Sequence, residues 1–190
     1  MKYLTLIILA ACGYPDAALN SPTALVFDES CNSYQLLPAI VQQAAHEWDP
    51  FGGEFRLLSE IDNQSAPQIT VYCDQVIQGS YPDDLTIVGD YDQETPNELG
   101  SVHLLSKIVN EWSNNPNERN LLQHTVTHEL GHALGLIHEL DPTAMMYFNV
   151  SEFTAPNATD AAQLCAIRSD SNACLLDDGG LWPDPDYSNH

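Results

Sequence analysis

The chain has 190 residues, 44% of them hydrophobic, with 27 acidic against 5 basic side chains and a net charge of −22. That length suits one domain with a real core. The charge disfavours nucleic acid, which calls for a basic face, and electrostatic docking on anionic lipid, and it fits a heavily solvated surface.

Lys2 gives a short positive start, and Leu4 to Leu9 form an apolar run too short to cross a bilayer. Leu9-Ala10-Ala11-Cys12 resembles a bacterial lipobox. The resemblance implies that residues 1–11 are a lipoprotein signal peptide and that Cys12 becomes the first mature residue. Diacylglycerol on its sulfur would be the only membrane attachment. Gly13 follows, with no aspartate of the kind that retains lipoproteins at the inner membrane. An exported protein at the outer membrane or cell surface is therefore expected. The alternative is secretory cleavage elsewhere, leaving Cys12 a free thiol. Residues 12–23, with Pro15 and Pro22, read as a tether. Setting Cys12 aside leaves Cys31, Cys73, Cys165 and Cys174, which allow three pairings. Cys31–Cys73 with Cys165–Cys174 keeps each pair within one half of the chain, and such bonds suit an oxidising compartment.

The folded domain is expected over residues 24–176. Ala24 to Phe27 fits a first strand. Leu36, Leu37, Ile40, Val41, Ala44, Ala45 and Trp48 have helical spacing, and Pro50, Gly52 and Gly53 end that helix. Phe55–Leu58, Gln68–Tyr72, Leu85–Val88 and Ser101–Leu105 read as four more strands. A long helix begins between Pro116 and Arg119 and runs to Leu134, with Leu121, Leu122, Thr125, Val126, Leu130 and Leu134 on its buried side. A closing helix spans Ala158 to Arg168, with Thr159 as the expected N-cap. From Asp177 the Gly-, Pro- and Asp-rich residues 177–190 read as a flexible acidic tail. This element order implies an α+β fold.

The long helix carries His128-Glu129-Leu130-Gly131-His132-Ala133-Leu134-Gly135-Leu136-Ile137-His138, which reads H-E-x-x-H-x-x-G-x-x-H. Positions four apart share a helix face, so His128 and His132 can offer two imidazole nitrogens to one Zn²⁺. The next same-face position holds Leu136, but Gly135 readily takes the positive φ that stops a helix, and the turn can bring His138 back to the metal. Three neutral imidazoles leave a fourth position for water, the mark of a catalytic zinc rather than a structural one. Glu129 is placed to take a proton from that water. Met146 comes later, in Ala144-Met145-Met146-Tyr147.

The eleven-residue motif is the metzincin signature, and the later methionine resembles the metzincin Met-turn, which lies beneath the zinc ligands. The Met-then-Tyr order and spacing look most like the matrixin branch. The resemblance implies a zincin fold: a twisted, mostly parallel five-stranded sheet, a backing helix, an active-site helix and a smaller C-terminal part with one helix. It implies a zinc endopeptidase acting on extracellular or periplasmic proteins or peptides, expected as a monomer. It also implies that a substrate strand adds to the fourth strand, with Thr86, Ile87, Val88 and Tyr147 as rim residues. Glu139 after the third histidine is similar to the astacins, but their tyrosine comes two places after the methionine, where this chain has Phe148. Cys12-Gly13-Tyr14-Pro15-Asp16 is similar to the latency run of matrixin pro-peptides. A lipidated sulfur is a thioether, not a thiolate, so no such switch is expected.

The other histidines and the acidic run have blander readings. His124 is expected to be a partly exposed helix residue, His46 a surface or packing residue, and His103 a strand residue without a second zinc. Asp83, Asp84, Asp90, Asp92, Glu94 and Glu98 could hold Ca²⁺, but no spaced calcium-loop motif is present, which favours a solvated loop. The rival to a protease is a surface-anchored binding lipoprotein with a vestigial zinc site, for which Glu129 would have no use.

Overall fold

The computed structural model describes residues 22–61, 66–77, 88–93 and 99–167. The elements run β1 (Thr23–Phe27), α1 (Leu37–His46), β2 (Phe55–Leu57), β3 (Gln68–Asp74), β4 (Gly89–Asp92), β5 (Ser101–Leu105), α2 (Ser106–Asn114), α3 (Arg119–Ala133) and α4 (Ala158–Ile167). The sheet order is β2-β1-β3-β5-β4. All pairings are parallel except β4 with β5, which is antiparallel and sets Asp90 opposite His103 and Tyr91 opposite Val102. The fold is the α+β arrangement with a mostly parallel five-stranded sheet that the sequence implies.

Parallel strands need crossovers that cover a face, and α1 and α3 supply that cover. Alternate residues Ile69, Val71 and Cys73 of β3 are buried, and they join one core with Leu37, Val41 and Ala44 of α1 and Leu122, Val126 and Leu130 of α3. Trp48, fully buried, donates its indole N–H to the Thr127 carbonyl at 2.9 Å and so ties the end of α1 to the middle of α3. Gly52, at φ 84°, turns the chain back towards β2. Leu36, read with the helical residues, is the N-cap of α1 rather than part of it, and it is 40% exposed. A disulfide joins Cys31 to Cys73 as expected. Cys165 is also disulfide-bonded, and its expected partner Cys174 lies outside the described residues.

Three features differ from the sequence reading. The helix α2 was not anticipated: it begins directly where β5 ends and buries Ile108 and Val109. The described fourth strand starts at Gly89, just beyond Val88, while Leu85, Thr86 and Ile87 lie outside the described residues, as do Cys12, the signal and tether segments up to residue 21, and the acidic tail. The N-cap of α4 is Asn157 rather than Thr159. Its side-chain oxygen accepts from the main-chain N–H groups of Thr159 (2.8 Å) and Asp160 (3.3 Å), and Asp160 reciprocates on the Asn157 N–H at 2.8 Å. Thr159 instead donates its hydroxyl to Asp141.

Candidate active site

Helix α3 ends where the site needs it to end. Gly135 sits at φ 93°, its N–H donates to the His132 carbonyl at 2.9 Å, and the Leu136 N–H donates to the Gly131 carbonyl at 3.0 Å. These two bonds form a Schellman termination, satisfying carbonyls that the last turn would otherwise leave bare. The chain then reverses and brings His138 back over His128 and His132.

The Nε2 atoms of His128, His132 and His138 lie 3.1–3.2 Å from one another. Two nitrogens each about 2.0–2.1 Å from one zinc at a tetrahedral angle would be about 3.3–3.4 Å apart, so the trio fits that ion. Among the described residues this is the grouping that could hold a metal. The Nδ1 atoms face away: His128 Nδ1 donates to the Met145 carbonyl and His132 Nδ1 to the Leu136 carbonyl, both at 2.8 Å. That choice of tautomer leaves Nε2 unprotonated, as a ligand must be. Burial disfavours the imidazolium forms. It lowers His132 to about 4, pushes His128 well below the ordinary histidine range with help from the neighbouring rings, and lowers His138 as well.

Beneath the trio, Met146 is fully buried against α3. A Cβ on Gly131 would run into Met146 Sδ and lie 2.9 Å from Trp48 Cζ2, so the glycine inside the helix is what admits the methionine. The Met-turn is held from α4. Asp160, fully buried, accepts from the N–H of Met145 on Oδ2 (2.8 Å) and from the N–H of Met146 on Oδ1 (2.9 Å). Its carboxylate therefore reaches His128 through the Met145–Met146 peptide, whose N–H donates to Asp160 and whose carbonyl accepts from His128. Burial raises Asp160, against the three amide N–H groups that favour its charged form.

Glu129 projects from the adjoining face of α3 towards the sheet edge and is 5% exposed. Burial raises its carboxyl well above the ordinary glutamate value. The negative charge of Asp90 adds to that rise, and a hydrogen bond from the Tyr91 main-chain N–H opposes it. A dication at the imidazoles would pull in the opposite direction to burial. Strand β4 passes close above: a Cβ on Gly89 would lie 2.6 Å from Thr125 Cγ2 and 2.9 Å from Glu129 Oε1. Of the expected rim, Val88 turns its carbonyl to the Leu105 N–H (3.1 Å), and Tyr147 sets its ring 4.4 Å from that of Phe148, which is 54% exposed.

The remaining histidines fall outside the trio. His124 is buried, not partly exposed, because a loop covers it: its Nδ1 bonds the Phe153 carbonyl at 2.6 Å. His103 bonds Asp74 through Nδ1 (2.6 Å) and Ser101 through Nε2 (2.8 Å) and stacks on Tyr72. His46 is a surface residue 3.9 Å from Asp49.

A mostly parallel sheet packed on a helix that ends in three converging imidazoles defines a class, the zinc metallopeptidases of metzincin type. The model of the matrixin family of peptidases matches residues 41–167, and the chain belongs to that family. Among solved structures it is similar to an archaemetzincin from Methanopyrus kandleri, at 14% identity and a TM-score of 0.47, over 90% of this chain and 98% of that one. No curated protein matches the chain by sequence.

Proposed function

We propose that His128, His132 and His138 hold one catalytic zinc and that Glu129 is the general base of an endopeptidase cleaving exported or extracellular proteins and peptides. The observation that carries this reading is the convergence of three Nε2 atoms within 3.2 Å, with both helix imidazoles fixed in the ligand tautomer. When bound there, zinc polarises the scissile carbonyl and lowers the pKa of a bound water towards about 7. The Glu129 carboxylate takes a proton from the attacking water and delivers it to the departing amide nitrogen. The Tyr91 N–H steadies that carboxylate from the strand above.

Strand β4 is the sheet edge and lies over Glu129, so a substrate main chain that pairs with it is delivered to the base. Tyr147 and the exposed Phe148, whose rings lie 4.4 Å apart, are the aromatic pair assigned to the rim in this reading. Export with a lipid anchor at Cys12 belongs to the same proposal. It rests on the Leu9-Ala10-Ala11-Cys12 run and agrees with the Cys31–Cys73 disulfide. The test is cleavage of a random peptide mixture by the purified chain, before and after removal of zinc by a chelator. Loss on chelation and recovery with Zn²⁺ is expected. Binding of peptides without cleavage would favour a vestigial site.

A further inference from the structure

Two of the three imidazoles are steadied from behind by carbonyls, but His138 is not. Among the described residues its Nδ1 has no hydrogen-bond partner, and it stands on an exposed turn past the end of α3. Apolar packing holds the turn at its start, where Leu136 is fully buried, but not beside His138: Ile137 is 53% exposed and Leu140 is 87% exposed. The imidazole must therefore be aimed through its own main chain.

A single side chain of α4 grips that main chain. The Ile137 N–H donates to Gln163 Oε1 at 2.7 Å, and the Ile137 carbonyl accepts from Gln163 Nε2 at 3.2 Å. The amide can face only one way here, since an N–H needs the oxygen and a carbonyl needs the NH₂. Gln163 Nε2 also donates to Glu139 Oε1 at 2.5 Å, and the Glu139 N–H donates to the Met146 carbonyl at 2.8 Å. The residues before and after His138 are thus both tied down, while the ring between them stays free to face a metal.

We infer that Gln163 is a positioning residue for the third metal ligand, fixing His138 through Ile137 and Glu139, an inference that rests on the assignment of zinc to the three histidines. The helix α4 then supports the site twice within one turn: Asp160 holds the Met-turn beneath His128, and Gln163 holds the turn that carries His138.

Losing a group that orients a ligand commonly weakens metal affinity about 10–100-fold. Gln163→Leu, similar in size but without polar atoms, should therefore raise the zinc Kd by about tenfold or more. Gln163→Glu keeps an acceptor for the Ile137 N–H but sets a second carboxylate against Glu139 and the Ile137 carbonyl. It should weaken zinc as well and serves as the second variant. The experiment measures zinc Kd on the full chain by competition with a chromophoric chelator. Thermal unfolding of the metal-free protein and the visible absorption of the Co²⁺-loaded protein are recorded in parallel, with His138→Ala marking complete loss of the ligand. The expected result is a weaker zinc Kd and an altered Co²⁺ spectrum, with the metal-free unfolding midpoint moved by only a few degrees. A lowered midpoint with zinc Kd and Co²⁺ spectrum unchanged would overturn the inference alone. A wild-type chain that binds no zinc would overturn the zinc assignment and this inference together.

Discussion

Replacing Gly89 with alanine tests how closely the sheet edge governs the catalytic base. The added Cβ would lie 2.6 Å from Thr125 Cγ2, 2.9 Å from Glu129 Oε1 and 3.2 Å from Glu129 Cγ. Carbon atoms rest comfortably at about 3.5–4.0 Å, so β4 and α3 must part by about 1 Å. That movement displaces Glu129 from the Tyr91 N–H but leaves His128 and His132, whose Nδ1 atoms are anchored to the Met145 and Leu136 carbonyls. A misplacement of about 1 Å can cost about 100-fold in rate, so kcat/KM on a peptide substrate should fall by about that factor. Zinc content, measured by atomic absorption, should be unchanged. Thr125→Ser removes the offending methyl and keeps the hydroxyl bond to the Leu121 carbonyl. The double variant Gly89→Ala with Thr125→Ser should regain about tenfold, a coupling of about 1.4 kcal/mol. Wild-type kcat/KM in Gly89→Ala would refute the idea that the close passage of β4 positions Glu129. So would a loss with no recovery in the double variant.

Other consequences arise from the same contacts. Asp160→Ala leaves two buried amide N–H groups without acceptors, at about 1–3 kcal/mol each, so urea unfolding of the metal-free protein should show a loss of about 2–6 kcal/mol. An unchanged midpoint would mean that the Met-turn does not depend on α4. His138→Ala should weaken zinc sharply, and equal zinc retention after dialysis against a chelator would remove His138 from the ligand set. Burial raises Glu129 in the metal-free state, whereas His132 lies at about 4 and is already neutral at about pH 6. A dication favours the ionised carboxylate, so just above the ordinary glutamate range, where burial leaves Glu129 more protonated than a free carboxyl, zinc binding should release protons from Glu129 rather than take them up. Calorimetry in buffers of different ionisation enthalpy should find more protons released by the wild type than by Glu129→Gln. Equal release would show that Glu129 is ionised before the metal arrives.

The parts of the molecule set by local rules were readable in the chain. The i, i+4 spacing of His128 and His132, the glycine that stops the helix, and the return of His138 all come from helix geometry and from one residue's freedom at positive φ. Strands β1, β3 and β5 announce themselves by their apolar residues. The strand at Gly89–Asp92 does not, because glycine and aspartate are poor strand formers and the segment is held by its pairing with β5 and its contact with α3. Helix α2 was hidden because β5 passes into it at Leu105 with neither a turn residue nor a side-chain cap. Asp160 and Gln163 could not be singled out, since their partners at 145, 146, 137 and 139 are distant in sequence and become neighbours only when α4 docks. The burial of His124 depends in the same way on the Phe153 carbonyl arriving from a later loop.

The central claim is that three imidazoles present a metal and one carboxylate moves the proton. Cleavage of a peptide substrate by Glu129→Ala, expressed per bound zinc and set beside the wild type, tests it most directly. The account predicts full zinc occupancy in the variant and turnover lower by about 100–10,000-fold, the usual contribution of a positioned general base. Turnover at the wild-type rate with zinc in place would contradict it.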